Sequence, residues 1–421
     1  MLRKSTFHFY GIVVWTFAIL FYLYEFFLRV LPATLSLEIL HDLNITLVQF
    51  SIVASAYYIT YACMQIPVGI LLDRFGVRVL ASIACVVCAM GTFGFAFADD
   101  FYNVVIARLL IGFGSSFGFL SLLVLAFNWF PHKYFGLLSG IGQALGCTGP
   151  LIAGAPVIWM MGHMHNGWRE LFVWIAGFGA ILAIGMVLCI RNQPPDLRRG
   201  LHFEPRNHHL LRNLKLILKI PQVWITMVYT ACIYVSLPLL GAYWGSVYLQ
   251  TRGLNKEVAG AMISMIWVGL AIGSPLFGMV SDLLKRRKPV LAILGFFGAI
   301  VSCVLLFFPI QSEWGLGAIL ILIGMAAGGQ SLAFALMVEY VPKGLRATAM
   351  GANNTAVMLF ASLLPPLVTL LIQSDVGPLH LLATSDFTRG FLLMPLAFLI
   401  AGLIALFATR ETFCKSSYKK G

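Results

Sequence analysis

Apolar residues in this chain come in long unbroken runs. They show neither the alternation of a half-buried strand nor the three-and-four spacing of a helix lying on a core. The runs fall at about 8–37, 46–71, 77–97, 102–127, 134–160, 170–190, 221–249, 258–281, 289–309, 315–338, 345–373 and 388–408. Each reaches the ~20 residues an α-helix needs to cross a bilayer. Twelve membrane-spanning helices are therefore expected in an all-α integral membrane fold. The expected organisation is an N-terminal six-helix bundle over 1–190, a basic linker over 191–219, and a C-terminal six-helix bundle with a short tail over 220–421. The first run exceeds what a bilayer needs, so it should tilt or extend beyond the lipid.

Composition agrees with lipid as the solvent. Of 421 residues, 60% are hydrophobic and 10% charged, against about 25% charged in a soluble domain. The opening residues lead into the first run without a small-residue cleavage pattern, so that helix is expected to be retained. The net charge of +12 changes meaning once it is mapped. Of 28 Lys and Arg, 22 fall at the N-terminus, in the five even-numbered turns and in the tail, and only Arg169, Arg252, Lys256 and Arg389 fall on the other side. Such a bias places both termini in the cytoplasm, and the compact loops suit a bacterial inner membrane. The lipid bilayer is then the partner implied, and a nucleic acid is not needed to explain the charge.

The sequence also carries few signs of other chemistry. Cys85-x-x-Cys88 has a metal or redox spacing but sits mid-span among Ala and Val, where small packing residues are expected. His163 and His165 lie on a polar loop. No nucleotide-binding loop, zinc helix or nucleophile triad is present, so no cofactor, metal or enzyme activity is expected.

The punctuation repeats. Gly69-x-x-x-Asp73 follows the second run and Gly278-x-x-x-Asp282 follows the eighth. Pro131 and Gly140 open the fifth, and Pro342 and Gly351 open the eleventh. A repeat of half the chain length implies two related six-helix bundles around a central cavity, with a site near mid-membrane.

Polar residues within the runs are the site candidates. Tyr22, Glu25 and Arg29 are spaced to share one helical face. A charge at this depth costs at least ~2.5–3.5 kcal/mol on insertion scales, so intramembrane charges usually face a cavity. Glu25 and Arg29 are also one turn apart, and two readings follow: they neutralise each other, or they handle substrate and proton. Arg108 either lines the cavity or braces the fourth span. Tyr57 and Tyr61 on the second span and Gln143 on the fifth are further candidates. The second half offers only neutral groups, among them Gln330, Asn353 and Asn354. The first half is thus expected to hold the ionic end of a substrate.

The segment Gly69-Ile-Leu-Leu-Asp73-Arg74-Phe-Gly76-Val-Arg78 resembles the signature between spans two and three of the major facilitator superfamily. Arg108-x-x-x-Gly112-x-Gly114 and Gly146-x-x-Gly149-Pro150-x-x-Ala-Gly154 resemble its fourth- and fifth-span motifs. The resemblance implies alternating-access transport, with Gly69, Asp73, Arg74 and Arg78 in a cytoplasmic gate. Asp282, with Arg286 and its basic neighbours, resembles the second copy, joined by Glu339 and Arg346. Leu28-Arg29-Val30 through Gln49, Tyr57, Tyr61, Gln65 and Asp73 is similar to the anion:cation symporter branch, where the first-span arginine grips a carboxylate. A guanidinium suits that task because it stays charged and binds carboxylates in a fork. In many of those symporters an acidic residue stands seven positions after the fourth-span arginine; here that position is Ser115. Coupling would then move to Glu25.

The activity expected is proton- or ion-coupled uptake of a small carboxylate-bearing metabolite by a monomeric carrier. Export of drugs, siderophores or other amphipathic compounds is the alternative, and a non-transporting nutrient receptor on the same scaffold is a third.

Overall fold

The computed structural model describes residues 9–130, 135–164, 167–194, 210–310, 312–342, 345–372 and 383–414. Among them are helices and no strands. Eleven helices are long and apolar enough to cross a membrane, or up to twelve when a broken helix is counted. The first to sixth spans are Phe9–Thr34, Leu47–Gly69, Val77–Ala96, Phe101–Ala126, Ile141–Met161 and Gly167–Cys189. The eighth to twelfth are Lys256–Leu284, Lys288–Phe307, Glu313–Tyr340, Thr348–Ile372 and Thr384–Ala408.

The seventh run departs from the single helix expected of it. It is divided into Pro221–Ile233, a π-helical stretch Leu237–Trp244 and Gly245–Thr251, and Arg212–Leu218 meets its start at 84°. Pro238 sits in the first turn of the π-helical stretch, where its missing N–H helps to break the regular ladder. Polar side chains fix several helix starts. Thr46 and Gln49 form a capping box on the second span, which gives Gln49 a local role; Asp100 and Asn255 cap the fourth and eighth.

The packing repeats as the punctuation does. The second span packs on the fourth and the third on the sixth, and likewise the eighth on the tenth and the ninth on the twelfth. The first span meets the fourth and fifth, as the seventh meets the tenth and eleventh. Two pseudo-symmetric six-helix bundles result. They touch along two seams that the repeat interchanges, second span on eleventh and eighth span on fifth. The fourth span breaks at Ser116–Phe117 and the tenth at Gly328, again in corresponding places.

Close approach within a bundle depends on glycine. A Cβ on Gly324 would overlap the Ile266 carbonyl, and one on Gly269 the Ile321 carbonyl, so the eighth and tenth spans press backbone to backbone. Gly278, in the repeated motif, has nothing within 4 Å. Gly324→Leu should destabilise the protein by about 1–3 kcal/mol and lower its melting temperature in detergent. Gly278→Ala should leave the melt unchanged.

Candidate functional site

The shared face of the first span becomes a buried charged centre. Glu25 is fully buried and Arg29 is 4% exposed. Arg29 donates from Nη2 to both Glu25 oxygens, at 3.3 and 3.1 Å. The Tyr57 hydroxyl donates to Glu25 Oε2 at 2.9 Å and accepts from Arg29 Nε at 3.2 Å, closing a three-residue ring. Aromatic faces flank the guanidinium, with the Phe26 centroid 4.4 Å and the Tyr61 centroid 4.9 Å from Cζ. The break in the fourth span makes room, since a Cβ on Gly118 would stand 2.9 Å from Glu25 Cγ. Of the two readings of this pair, mutual neutralisation is met in this conformation, yet Arg29 also faces open space.

That space is a cavity of about 390 Å³ between the bundles. Tyr22, Arg29, Tyr61 and Gln143 line it from the first half, and Gln330 and Asn354 from the second. Tyr22 donates to Gln143 at 2.9 Å, and Asn354 donates to Gln65 across the second–eleventh seam at 2.7 Å. Four other candidates are not on its wall. Glu25 and Tyr57 stand behind Arg29. Asn353 is fully buried in the eleventh span, and its amide makes no hydrogen bond to a described residue. Arg108 is 1% exposed and donates to the Leu28 and Arg29 carbonyls at 2.9 and 3.4 Å, with its Cζ 4.8 Å from the Tyr57 centroid. It is a brace on the span that carries Arg29. Tyr234, from the broken seventh span, does line the cavity.

At the end carrying the basic turns, each bundle ties its own elements together. Arg78 donates to the Val187 carbonyl at 3.0 and 2.8 Å, and its backbone N–H to Asn192 at 2.8 Å. Gly76 takes φ +79° beside Asn192, while Gly69 has nothing within 4 Å, so the tight reversal belongs to Gly76 alone. The side chains of Asp73 and Arg74 lie outside the described residues. In the second half the partner is Arg287. Arg286 is exposed, whereas Arg287 is buried and bonds Asp282 at 2.6 Å and Glu339 at 3.0 Å. The repeat held this signal, because Arg287 stands as far after Asp282 as a turn cation would by the offset that carries Arg78 into the second half. Arg346 heads the eleventh helix outside this cluster.

A carboxylate that the sequence did not single out completes the cluster. Glu411, beyond the last span, accepts from the backbone N–H groups of Arg287 and Lys288 at 2.9 and 3.0 Å, and so caps the ninth span. Partial burial pushes its carboxyl up. Backbone donors from Arg287, Phe413, Lys288 and Thr412 outweigh this and hold it below its ordinary value.

The opposite end is shut. Phe26 meets Trp267, Phe50 meets Trp244 and Tyr58 meets Tyr243, each pair joining the two halves. A Cβ on Gly154 would overlap the Ser264 hydroxyl, which keeps the fifth and eighth spans in contact. Lys256 pairs with Glu38, an ion pair between halves that no local spacing announces.

Two helical bundles around a central cavity that is closed at one end and carries Arg29 among aromatic and neutral polar groups have the architecture of an alternating-access membrane carrier. The chain belongs to the Major Facilitator Superfamily, whose model matches residues 14–365. It is 26% identical over 357 residues to the probable galactarate/D-glucarate transporter GudP of Escherichia coli, covering 76% of this chain and 79% of that one. It is 26% identical to the membrane sensor protein UhpC of Salmonella typhimurium over 58% of each chain. Its fold matches a bacterial homologue of the human lysosomal transporter Spinster, in an inward-facing and unoccupied conformation. That match has a TM-score of 0.77 at 16% identity and covers 98% of this chain and 99% of the other.

The Glu411 cap sets a pH dependence. A carboxyl lowered in the folded state adds stability that is present above its ordinary value of 4.5 and lost as pH falls through the lowered value. Glu411→Gln should therefore lower the melting temperature at neutral pH. The gap from wild type should close as the pH is taken down through the acid range.

Proposed function

We propose that the protein is a proton-coupled carrier that takes up a small organic anion across a bacterial inner membrane. The basic end would face the cytoplasm, by the asymmetry of Lys and Arg between the two sides. With the other end shut, the conformation described is then inward-facing.

One observation carries the substrate class: Arg29 is the cation on the cavity wall among the described residues, and it is already engaged by a carboxylate. A carboxylate-bearing ligand competes with Glu25 for the same guanidinium fork. Once released, Glu25 keeps Tyr57 as its donor and would be an uncompensated charge in low dielectric. Taking up a proton removes that penalty. The loaded carrier would hold anion and proton together, and the empty one would return with the Glu25–Arg29 pair closed. The likeness to a protein named for sugar-diacid transport supports an anionic substrate.

Arg29→Ala should abolish stabilisation of the purified protein by carboxylates; ligand at 100 Kd otherwise adds about 2.7 kcal/mol. Glu25→Gln should bind the anion but lose accumulation driven by a pH gradient in proteoliposomes, while counterflow exchange persists. Gradient-driven uptake equal to wild type in Glu25→Gln would remove Glu25 from coupling. Stabilisation by apolar cations alone, alike in wild type and Arg29→Ala, would favour an exporter.

A further inference from the structure

The walls of the cavity say more about the ligand than that it is anionic. Across the space from Arg29 the described residues of the second half present no charge. Ser274, Gln330, Ser331, Tyr234 and Asn354 are its polar groups there, and the Ser274 hydroxyl has no hydrogen-bond partner among the described residues. Asn354 is engaged by Gln65 and Gln143 by Tyr22. Gln330 makes no side-chain hydrogen bond to a described residue, which leaves its amide as a free hydrogen-bonding group facing the cavity. Between these polar ends the lining is aromatic and apolar, with Phe26, Phe119, Phe334, Leu270 and Met358. Such walls favour a ring or hydrocarbon body over a string of hydroxyls, each of which would need its own partner.

Charge balance narrows the class further. The buried ionic groups around the site are Glu25, Arg29 and Arg108. The other ionisable groups around Glu25 among the described residues are Tyr22, Tyr57, Tyr58, Tyr61, Tyr234 and Cys88, all neutral in water near pH 7. With Glu25 ionised and both arginines protonated the cluster carries one net positive charge. When a monocarboxylate takes the place of Glu25 on Arg29 and Glu25 gains one proton, that net charge is unchanged. A dicarboxylate would bring the net charge to zero, but its second carboxylate would face only neutral amides, hydroxyls and rings, with Arg108 committed to backbone carbonyls behind the wall.

We infer that the substrate is a monovalent organic anion with an aromatic or apolar body and a hydrogen-bonding group at its far end, carried with one proton, and that dicarboxylates are refused. This rests on the anion-carrier reading above and departs from the diacid named for the Escherichia coli relative.

The test uses the full chain with 4-hydroxyphenylacetate, its neutral amide 4-hydroxyphenylacetamide, and galactarate as probes. Thermal-shift titration of wild type should show the monocarboxylate binding at least about tenfold more tightly than either of the others. Its uptake into proteoliposomes should not respond to a potassium–valinomycin potential. Gln330→Arg should narrow the gap between galactarate and the monocarboxylate. Should that variant not fold, the acid–amide and acid–diacid comparisons on wild type still decide. Galactarate binding wild type as tightly as the monocarboxylate, and losing that affinity in Arg29→Lys, would overturn the inference and leave the anion-carrier reading standing. The amide binding as tightly as the acid, unaffected by Arg29→Lys, would overturn both. Uptake that follows the imposed potential would overturn the one-proton balance.

Discussion

A carboxylate and a guanidinium can share the interior of a bilayer only if almost every remaining lone pair and proton finds a partner. Breaking such a pair by removing one member costs about 3–5 kcal/mol, because the other is left buried and alone. The surroundings of Glu25 and Arg29 follow from that constraint. Tyr57 bonds both residues and so fixes the second span against the first. The fourth span opens at Ser116–Phe117 beside the carboxylate, where Gly118 leaves room for it. Arg108 takes up the Leu28 and Arg29 carbonyls and holds the segment that bears the pair. Three helices are thus positioned by one ion pair, and the cavity wall is where its guanidinium emerges.

The two halves share a skeleton and differ in chemistry. Asn192 receives the backbone N–H at the start of the third span, and Glu411 does the same at the ninth. Arg78 binds a carbonyl of the sixth span, whereas Arg287 binds two carboxylates, those of Asp282 and Glu339. Among the described residues, the Arg78 guanidinium is thus held by a backbone carbonyl and that of Arg287 by carboxylates. Mid-membrane the order is reversed. Among the described residues, the buried charges near the cavity, Glu25, Arg29 and Arg108, lie in the first half, and the second supplies rings, hydroxyls and amides. Duplication explains the shared helix contacts, and each half then carries its ionic groups at a different depth.

Much of this was legible in the sequence, and what was not has physical reasons. The spans were visible because lipid demands about twenty apolar residues whatever the tertiary contacts. The division of the seventh run was hidden because a π-helical stretch is as apolar as the α-helix it replaces. Tyr22, Glu25 and Arg29 were recognisable as a face since helical period alone brings them together. Whether Arg108 reaches the cavity depends on carbonyls eighty residues away, and hydropathy carries no record of those. Arg286 and Arg287 are indistinguishable by composition; the helix start at Lys288 and the Glu411 cap turn the second inward. The opposite closure, built from Phe50, Trp244, Tyr58 and Tyr243, joins residues nearly two hundred apart and left no local trace.

The same ion pair bears on why transport would be coupled at all. Rocking between two open states requires that the centre be stable while both ends are shut. The empty carrier meets this condition, since Glu25 and Arg29 satisfy each other. Under the anion-carrier reading, a carrier holding anion without proton leaves Glu25 buried against a guanidinium already occupied. At about 3–5 kcal/mol, an unpaired buried charge of that kind would be populated roughly one time in a few hundred to a few thousand. A carrier holding proton without anion leaves Arg29 in the corresponding position. Only the empty and the doubly loaded forms then cross readily. On that reading coupling would need no separate proton channel: it would follow from two carboxylates competing for one arginine where water cannot compensate the loser.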